Sequence, residues 1–276
     1  VELIVFDLDG TLLDASSEIS TYTRDTLAQL NARGVLYTVA TGRALHASRS
    51  LLQGHGFTLP QVYHNGVLIW DPTRAHYSHE SALTLAEVEH VVEAVLSQGL
   101  TPFLFTLAPD NRHIVYHKPL RSAVERDLAE EFRSHQGVDV QPIEHMPANA
   151  RITNISSLGE PDAVEAVERL ISDEPHLVAY AGIARESLAL RWIDIHHVEA
   201  SKGNAVDVLR RELGVSRVVC FGDNLNDLSM FEIADEAYAP SNAKAEVLAA
   251  ATAVIGHHDE DGIARFLRER FDLPPS

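Results

Sequence analysis

The chain has 276 residues, 45% hydrophobic and 22% charged, which is the composition of an ordinary globular protein long enough for about two domains. Its 40 acidic against 22 basic residues give a formal charge of -18, a field that repels polyanions and makes nucleic acid and anionic membranes poor partners. No apolar run approaches the roughly 20 residues needed to cross a bilayer, so no membrane partner is expected.

The opening VELIVF is too short and too acidic at its flank for a secretory signal. A single cysteine, Cys220, allows no internal disulfide, and a cytoplasmic location is the simplest expectation. Residues 2–6 form an apolar run that ends in Asp7-Leu8-Asp9-Gly10-Thr11. In TYTRDTLAQLNARG, Tyr22, Leu27 and Leu30 recur at helical spacing, with Gly34 as a stop. VLYTVA predicts a second strand, ending at Thr41-Gly42-Arg43, and residues 44–54 predict a helix. VYHNGVLIW places Asn65-Gly66 between two apolar runs, a strong hairpin signal.

From about Leu83 to Trp192 helices separate pairs of adjacent strands, the pattern of an α+β unit on an antiparallel sheet. The alternation of strand and helix then resumes. SKGNAVDVLRRELG predicts a helix capped by Ser201, and RVVCFGD a buried strand ending at Asp223, with Cys220 in the core. LSMFEIA, EAYAP, AKAEVLAAA, AVIG and DGIARFLRER continue to the end. The expectation is an α/β core with a mainly parallel sheet, residues 1–82 and 193–276, interrupted by an inserted domain, residues 83–192.

Three strands of the core thus end in polar signatures, and ligands of open α/β sheets bind beyond the carboxyl ends of the strands. Asp7 and Asp9, if the chain stays extended, emerge on one side. Asp223 and Asp227 share a face if their turn is helical. Lys202 opens a helix whose free N–H groups already favour an anion. Up to four carboxylates around one lysine call for a cation, and an all-oxygen donor set beside a phosphate points to Mg²⁺. A carboxylate such as Asp7 can attack phosphorus and divide a hard hydrolysis into two displacements, while a second carboxyl, Asp9, manages the proton.

Taken together and in this order, DLDGTLL, ATGR, SKG and GDNLNDLSM resemble the haloacid dehalogenase superfamily of phosphohydrolases. The insert between TGR and SKG is similar to that of the Cof-type branch with its type IIB α/β cap, so the resemblance implies a Rossmann-like core with an inserted cap that closes over the crevice. It further implies Asp7 as nucleophile and Asp9 as acid/base. Thr41 and Lys202 would bind the phosphoryl group, with Gly10, Gly42 and Asn226 near it, and Asp7, Asp9 (through its carbonyl), Asp223 and Asp227 would hold Mg²⁺. The expected substrate is a small phosphorylated metabolite, a sugar phosphate first, hydrolysed through an aspartyl-phosphate. A phosphomutase of the phosphomannomutase type and a non-catalytic phosphometabolite sensor are the alternatives, and the oligomeric state is open. Ala239-Pro240-Ser241-Asn242-Ala243 departs from the glycine-containing segment common in that branch, and Pro240 is expected to stiffen a turn there. Arg43 reads equally as a substrate contact or as the partner of a core carboxylate. Glu125, Asp127, Glu130 and Glu131 read as a solvated helical face. His117, Lys118, Arg151, Arg185 and Arg191 are the insert's candidate ligand contacts.

Overall fold

The computed structural model describes residues 1–135, 137–184 and 187–274, without the side chains of residues 79 and 80. Arg185 therefore lies outside the described residues. The chain divides into two compact units, Val1–His79 with Ser201–Ser276, and Glu80–Ala200.

In chain order the elements are β1 (Glu2–Phe6), α1 (Thr21–Ala32), β2 (Leu36–Val39), α2 (Leu45–Leu52), β3 (Gln61–Tyr63), β4 (Leu68–Asp71) and β5 (His76–Glu80). The second unit contributes α3 (Leu85–Ser97), β6 (Phe103–Leu107), β7 (His113–His117), α4 (Ala123–Ser134), β8 (Val138–Pro142), β9 (Ile152–Gly159), α5 (Pro161–Ile171), β10 (Leu177–Ile183) and β11 (Arg191–His197). The chain closes with α6 (Lys202–Glu212), β12 (Arg217–Phe221), α7 (Leu228–Ile233), β13 (Glu236–Pro240), α8 (Ala245–Ala250), β14 (Ala253–Ile255) and α9 (Gly262–Arg270).

The first unit is built on a parallel sheet in the order β14-β13-β12-β1-β2. Both faces are covered, which is why its strands read as unbroken apolar runs. Ile4 and Phe6 of β1 pack with Leu27 and Leu30 of α1 and with Ile263 and Leu267 of α9. Leu3 and Val5 point the other way, against Ala205, Val206 and Leu209 of α6 and Met230 and Phe231 of α7. Burial of each such large side chain stabilises by about 1.5–3 kcal/mol. β1 lies between β12 and β2, so the residues following these three strands emerge side by side. Cys220 is buried in this core. Beyond it, β3, β4 and β5 form a separate small sheet, with β3 and β4 antiparallel as the Asn65-Gly66 signal implies.

The second unit carries a six-stranded sheet, β10-β11-β9-β6-β7-β8. Val88, Val91, Val92 and Val95 of α3 and Val164, Val167 and Ile171 of α5 pack on Leu104, Ile155, Ile193 and Ile195. Ala129 of α4 is buried with Phe103, Phe105, Val115 and Val140, and Phe132 edges onto both phenylalanines. An antiparallel sheet is expected from the sequence, but β8 pairs parallel with β7, so the sheet is mixed. β8 (VDVQP) escapes detection because an edge strand needs little apolar surface, and its terminal proline is tolerated at an edge. Glu125 is also not on a solvated face. It is buried and closes the capping box of α4, accepting from the backbone N–H of Ser122 at 3.0 Å. Pro240 ends β13 and opens the turn that follows, its carbonyl accepting from the N–H of Ala243 at 2.9 Å.

Candidate active site

β1 ends at Phe6, and Asp7 is still extended, at φ -71 and ψ 161. Residues Leu8–Leu12 form a wide turn that is not helical throughout, with Asp9 extended at φ -72 and ψ 126, held by Leu12 N–H to Asp7 O at 3.3 Å and Leu13 N–H to Leu8 O at 2.9 Å. The carboxylates of Asp7 and Asp9 meet different cations. Asp7, 5% exposed, accepts from Lys202 Nζ at 2.6 Å. Asp9 is held by the Arg43 guanidinium through two contacts of 2.6 Å, Nε to Oδ2 and Nη2 to Oδ1. This bidentate pair gives Arg43 a carboxylate partner in this structure, one that is partly exposed and not part of the core.

Gly10 sits at φ +71, and a Cβ there would fall 2.5 Å from Asp223 Oδ2. Only glycine lets the first loop approach the third this closely. Thr11 donates its hydroxyl to Asp223 Oδ1 at 3.0 Å. Asn242 donates to the Gly10 carbonyl at 2.8 Å and accepts from the His258 N–H at 3.1 Å, so the segment that departs from the family pattern still braces the first loop.

After β12 the chain makes a short turn, Leu225–Asp227, in which Asp227 folds back. One oxygen, Oδ2, accepts from the N–H groups of Asp223 and Asn224, each at 2.9 Å, and the other, Oδ1, accepts from Lys202 Nζ at 2.6 Å. Lys202 is the first residue of α6, whose Ser201 hydroxyl accepts from the Asn204 N–H at 3.0 Å. Its side chain is fully buried and bridges Asp7 to Asp227, instead of lying in solvent as a helix lysine usually does.

Asp7, Asp223 and Asp227 each offer a carboxylate oxygen, all within 4.8 Å of one another. Burial first, then the charges of Asp227 and Asp223, raise the Asp7 carboxyl well above the usual range against the opposing effect of Lys202. Burial and the charge of Asp227 push Asp223 up to about 6. For Lys202, burial alone would lower the ammonium, but Asp227 and Asp7 outweigh it and hold it above the usual lysine range. With all three carboxylates ionised, the one ammonium would leave two negative charges uncompensated. A hard divalent cation matches both that deficit and the all-oxygen donor set.

The second loop supplies Thr41, 1% exposed, whose hydroxyl oxygen accepts from the Arg43 N–H at 3.1 Å. Gly42 packs against the Asn65 side chain, and Asn226 donates through Nδ2 to Asn65 Oδ1 at 2.8 Å. The structure thus joins Asp7, Lys202, Asp223, Asp227 and Gly10 directly, and Thr41, Gly42 and Asn226 through Asn65. Asp9 pairs with Arg43 of the second loop. Sequence reading missed Asn65, Thr11 and Asn242. Asn65 was visible only as half of a turn dipeptide.

A family model of haloacid dehalogenase-like hydrolases matches residues 4–267. A putative phosphatase of Bacillus subtilis, YxeH, is 29% identical over 273 residues, covering 97% of each chain. YitU of the same organism, a 5-amino-6-(5-phospho-D-ribitylamino)uracil phosphatase, is 28% identical over 280 residues and 98% of each chain. Among solved structures, a haloacid dehalogenase-like hydrolase from Bacteroides thetaiotaomicron superposes with a TM-score of 0.78 at 22% identity, covering 98% of this chain and 99% of its own.

Proposed function

The chain belongs to the haloacid dehalogenase-like hydrolase family and is a phosphatase of that type, and from that premise we propose a Mg²⁺-dependent hydrolase of small phosphomonoesters, sugar phosphates first, with Asp7 as nucleophile. The observation that carries this is the buried Asp7–Lys202–Asp227 bridge with Asp223 beside it. Structural ion pairs seldom leave two negative charges uncompensated in the interior, since an unpaired buried charge is costly. The relative YitU, named for a phosphoribityl compound, supports a phosphorylated polyol or sugar as substrate class. The inserted six-stranded unit fits a Cof-type, type IIB cap.

In this reading an Asp7 oxygen attacks phosphorus and the bond to the leaving oxygen breaks, giving an aspartyl-phosphate that water then cleaves. Lys202 neutralises Asp7 and places positive charge beside the incoming phosphoryl group. Thr41 lends a hydroxyl to the phosphoryl oxygens. Asp9 gives its proton to the leaving oxygen and takes one from the attacking water, which requires Arg43 to release at least one carboxylate oxygen. The carboxylates of Asp7, Asp223 and Asp227, with the Asp9 carbonyl, would hold Mg²⁺, which would supply charge neutralisation for the phosphoryl group. Purified protein is assayed against a panel of phosphorylated metabolites with and without Mg²⁺. Release of phosphate that depends on the ion and vanishes in Asp7→Asn is the expected result, and phosphate release undiminished in Asp7→Asn would falsify the assignment.

A further inference from the structure

The segment after β13, residues 240–244, is tied to both loops that carry the acidic cluster. Asn242 donates through Nδ2 to the Gly10 carbonyl at 2.8 Å, and the N–H of Lys244 donates to the Asp223 carbonyl at 2.9 Å. The Asn242 amide is fixed at both ends, because its Oδ1 accepts from the backbone N–H of His258 at 3.1 Å. A main-chain carbonyl only accepts and a main-chain N–H only donates, so turning this amide over would lose both bonds. Gly10 is where the first loop meets the third. Thr11 donates to Asp223 Oδ1 at 3.0 Å, and a Cβ on Gly10 would fall 2.5 Å from Asp223 Oδ2. With contact this close, Gly10 cannot move without displacing the Asp223 carboxylate or breaking the Thr11 bond. A side chain that only closed the end of β13 would use local partners, as the Ala243 N–H does with the Pro240 carbonyl at 2.9 Å. Asn242 instead reaches a partner 232 residues away in sequence, on the loop that follows Asp7.

We propose that Asn242 is a positioning residue for the divalent ion, holding the first loop at the distance from Asp223 at which Asp7, Asp223 and Asp227 close on one cation. This rests on the reading of those three carboxylates as the Mg²⁺ site. Their oxygens lie within 4.8 Å of one another, and when ionised they repel, which works to part the two loops in the absence of the ion. A tie made by a neutral amide opposes that repulsion without adding charge. Without the tie the metal-free site is wider, and part of the ion's binding free energy goes into drawing the loops together. The loss therefore appears in Mg²⁺ affinity, and saturating Mg²⁺ restores the closed site.

The test follows melting temperature against Mg²⁺ concentration at pH 7 in protein first stripped with a chelator, which reads the ion's affinity without turnover. It then measures kcat and KM for p-nitrophenyl phosphate at saturating Mg²⁺. Asn242→Ala is expected to weaken Mg²⁺ about tenfold, the scale of one lost hydrogen bond, while kcat at saturating Mg²⁺ stays within about threefold of the parent. Asn242→Asp keeps the acceptor for His258 and loses only the donor to Gly10. Its added negative charge alone would tighten Mg²⁺, so the expected weakening, about threefold or more, has the opposite sign. His258 is the first residue of the single helical turn His258–Glu260, a position that suits proline, and His257 before it is extended at ψ 144. His258→Pro thus removes the N–H that anchors Asn242, while His258→Ala keeps it, and the proline variant should bind Mg²⁺ about threefold more weakly than the alanine variant. This pair leaves Asn242 in place and decides the matter even if Asn242→Ala does not fold. Asn242→Ala or Asn242→Asp binding Mg²⁺ as tightly as the parent, or equal affinities for the His258 pair, overturns the proposal. Asp223→Asn is run alongside. If it binds Mg²⁺ as the parent does, the reading of the acidic cluster as the ion site has failed and the proposal with it; if it loses the ion while Asn242→Ala keeps it, only the role of Asn242 has.

Discussion

The two larger sheets bury polar groups in opposite ways. In the parallel sheet, strands that share one direction deliver their carboxyl ends to one edge. The loops after β1, β2 and β12 therefore converge, and what they bury is charge: Asp7, Asp227 and Lys202 in mutual contact. In the mixed sheet, neighbouring strands mostly run in opposite directions and their ends are dispersed. What it buries is a carboxylate satisfied by neutral donors: Asp194 Oδ1 accepts from Asn154 Nδ2 and Ser156 Oγ, each at 2.6 Å. Asp194 lies directly opposite Ser156 across the β11–β9 pair, so register alone explains the contact. Direction of strands decides whether buried polarity is gathered into a reactive cluster or dispersed as internal glue.

Substitutions that separate charge from glue break this contrast most sharply. Asp7→Asn should cut phosphate release by about a thousandfold or more, because the proposed nucleophile is gone, while melting temperature holds or rises as like charges are relieved. A coupled phosphate-release assay with parallel calorimetry reads both. Lys202→Ala should cost about 3–5 kcal/mol, since Asp7 and Asp227 are then buried without their cation. Urea unfolding at pH 7 in a chelator measures that loss, and a cost under about 1 kcal/mol would show the cluster to be better hydrated than its burial implies. Asp194→Ala should cost less, about 1–3 kcal/mol, by leaving the Asn154 and Ser156 donors unsatisfied; the same urea titration applies.

The smallest effect sharpens the comparison by pH. Asp223, at about 6, and Asp7 hold their protons more tightly folded than unfolded. Ionisation of Asp223 therefore costs stability as pH rises from the unfolded value, about 4, through about 6, and that of Asp7 costs stability above its unfolded value in the same direction. Metal-free protein should melt higher at pH 5 than at pH 7. Asp223→Asn should flatten that slope, and saturating Mg²⁺ should raise the melting temperature more at pH 7 than at pH 5. A thermal-shift series showing equal Mg²⁺ effects at both values would count against the carboxylate cluster as the binding site.

Much of the architecture was legible in the chain. The long apolar runs, the capped helices and the Asn-Gly hairpin are local signals, each written within about a dozen residues, and the polar ends of β1, β2 and β12 could be named from them. Edge strands were not legible: β8 alternates polar and apolar residues too weakly to stand out, and its parallel pairing to β7 depends on a crossover through α4. The same limit applied to the site. Residue types at strand ends suggested a cation and a nucleophile, but not that Arg43 would take Asp9, that Asp227 would fold back on its own loop, or that a turn residue, Asn65, would hold Asn226.

The sequence by itself determined which segments become helix or strand and which carry the reactive groups, because hydrophobic period, caps and turns act over one or two turns of chain. Only the tertiary structure decided which atoms meet. The order β12-β1-β2 sets residues 7, 41 and 223 side by side, and a hydrogen bond needs its partners within about 3 Å, a distance that chain order across more than 200 residues does not encode.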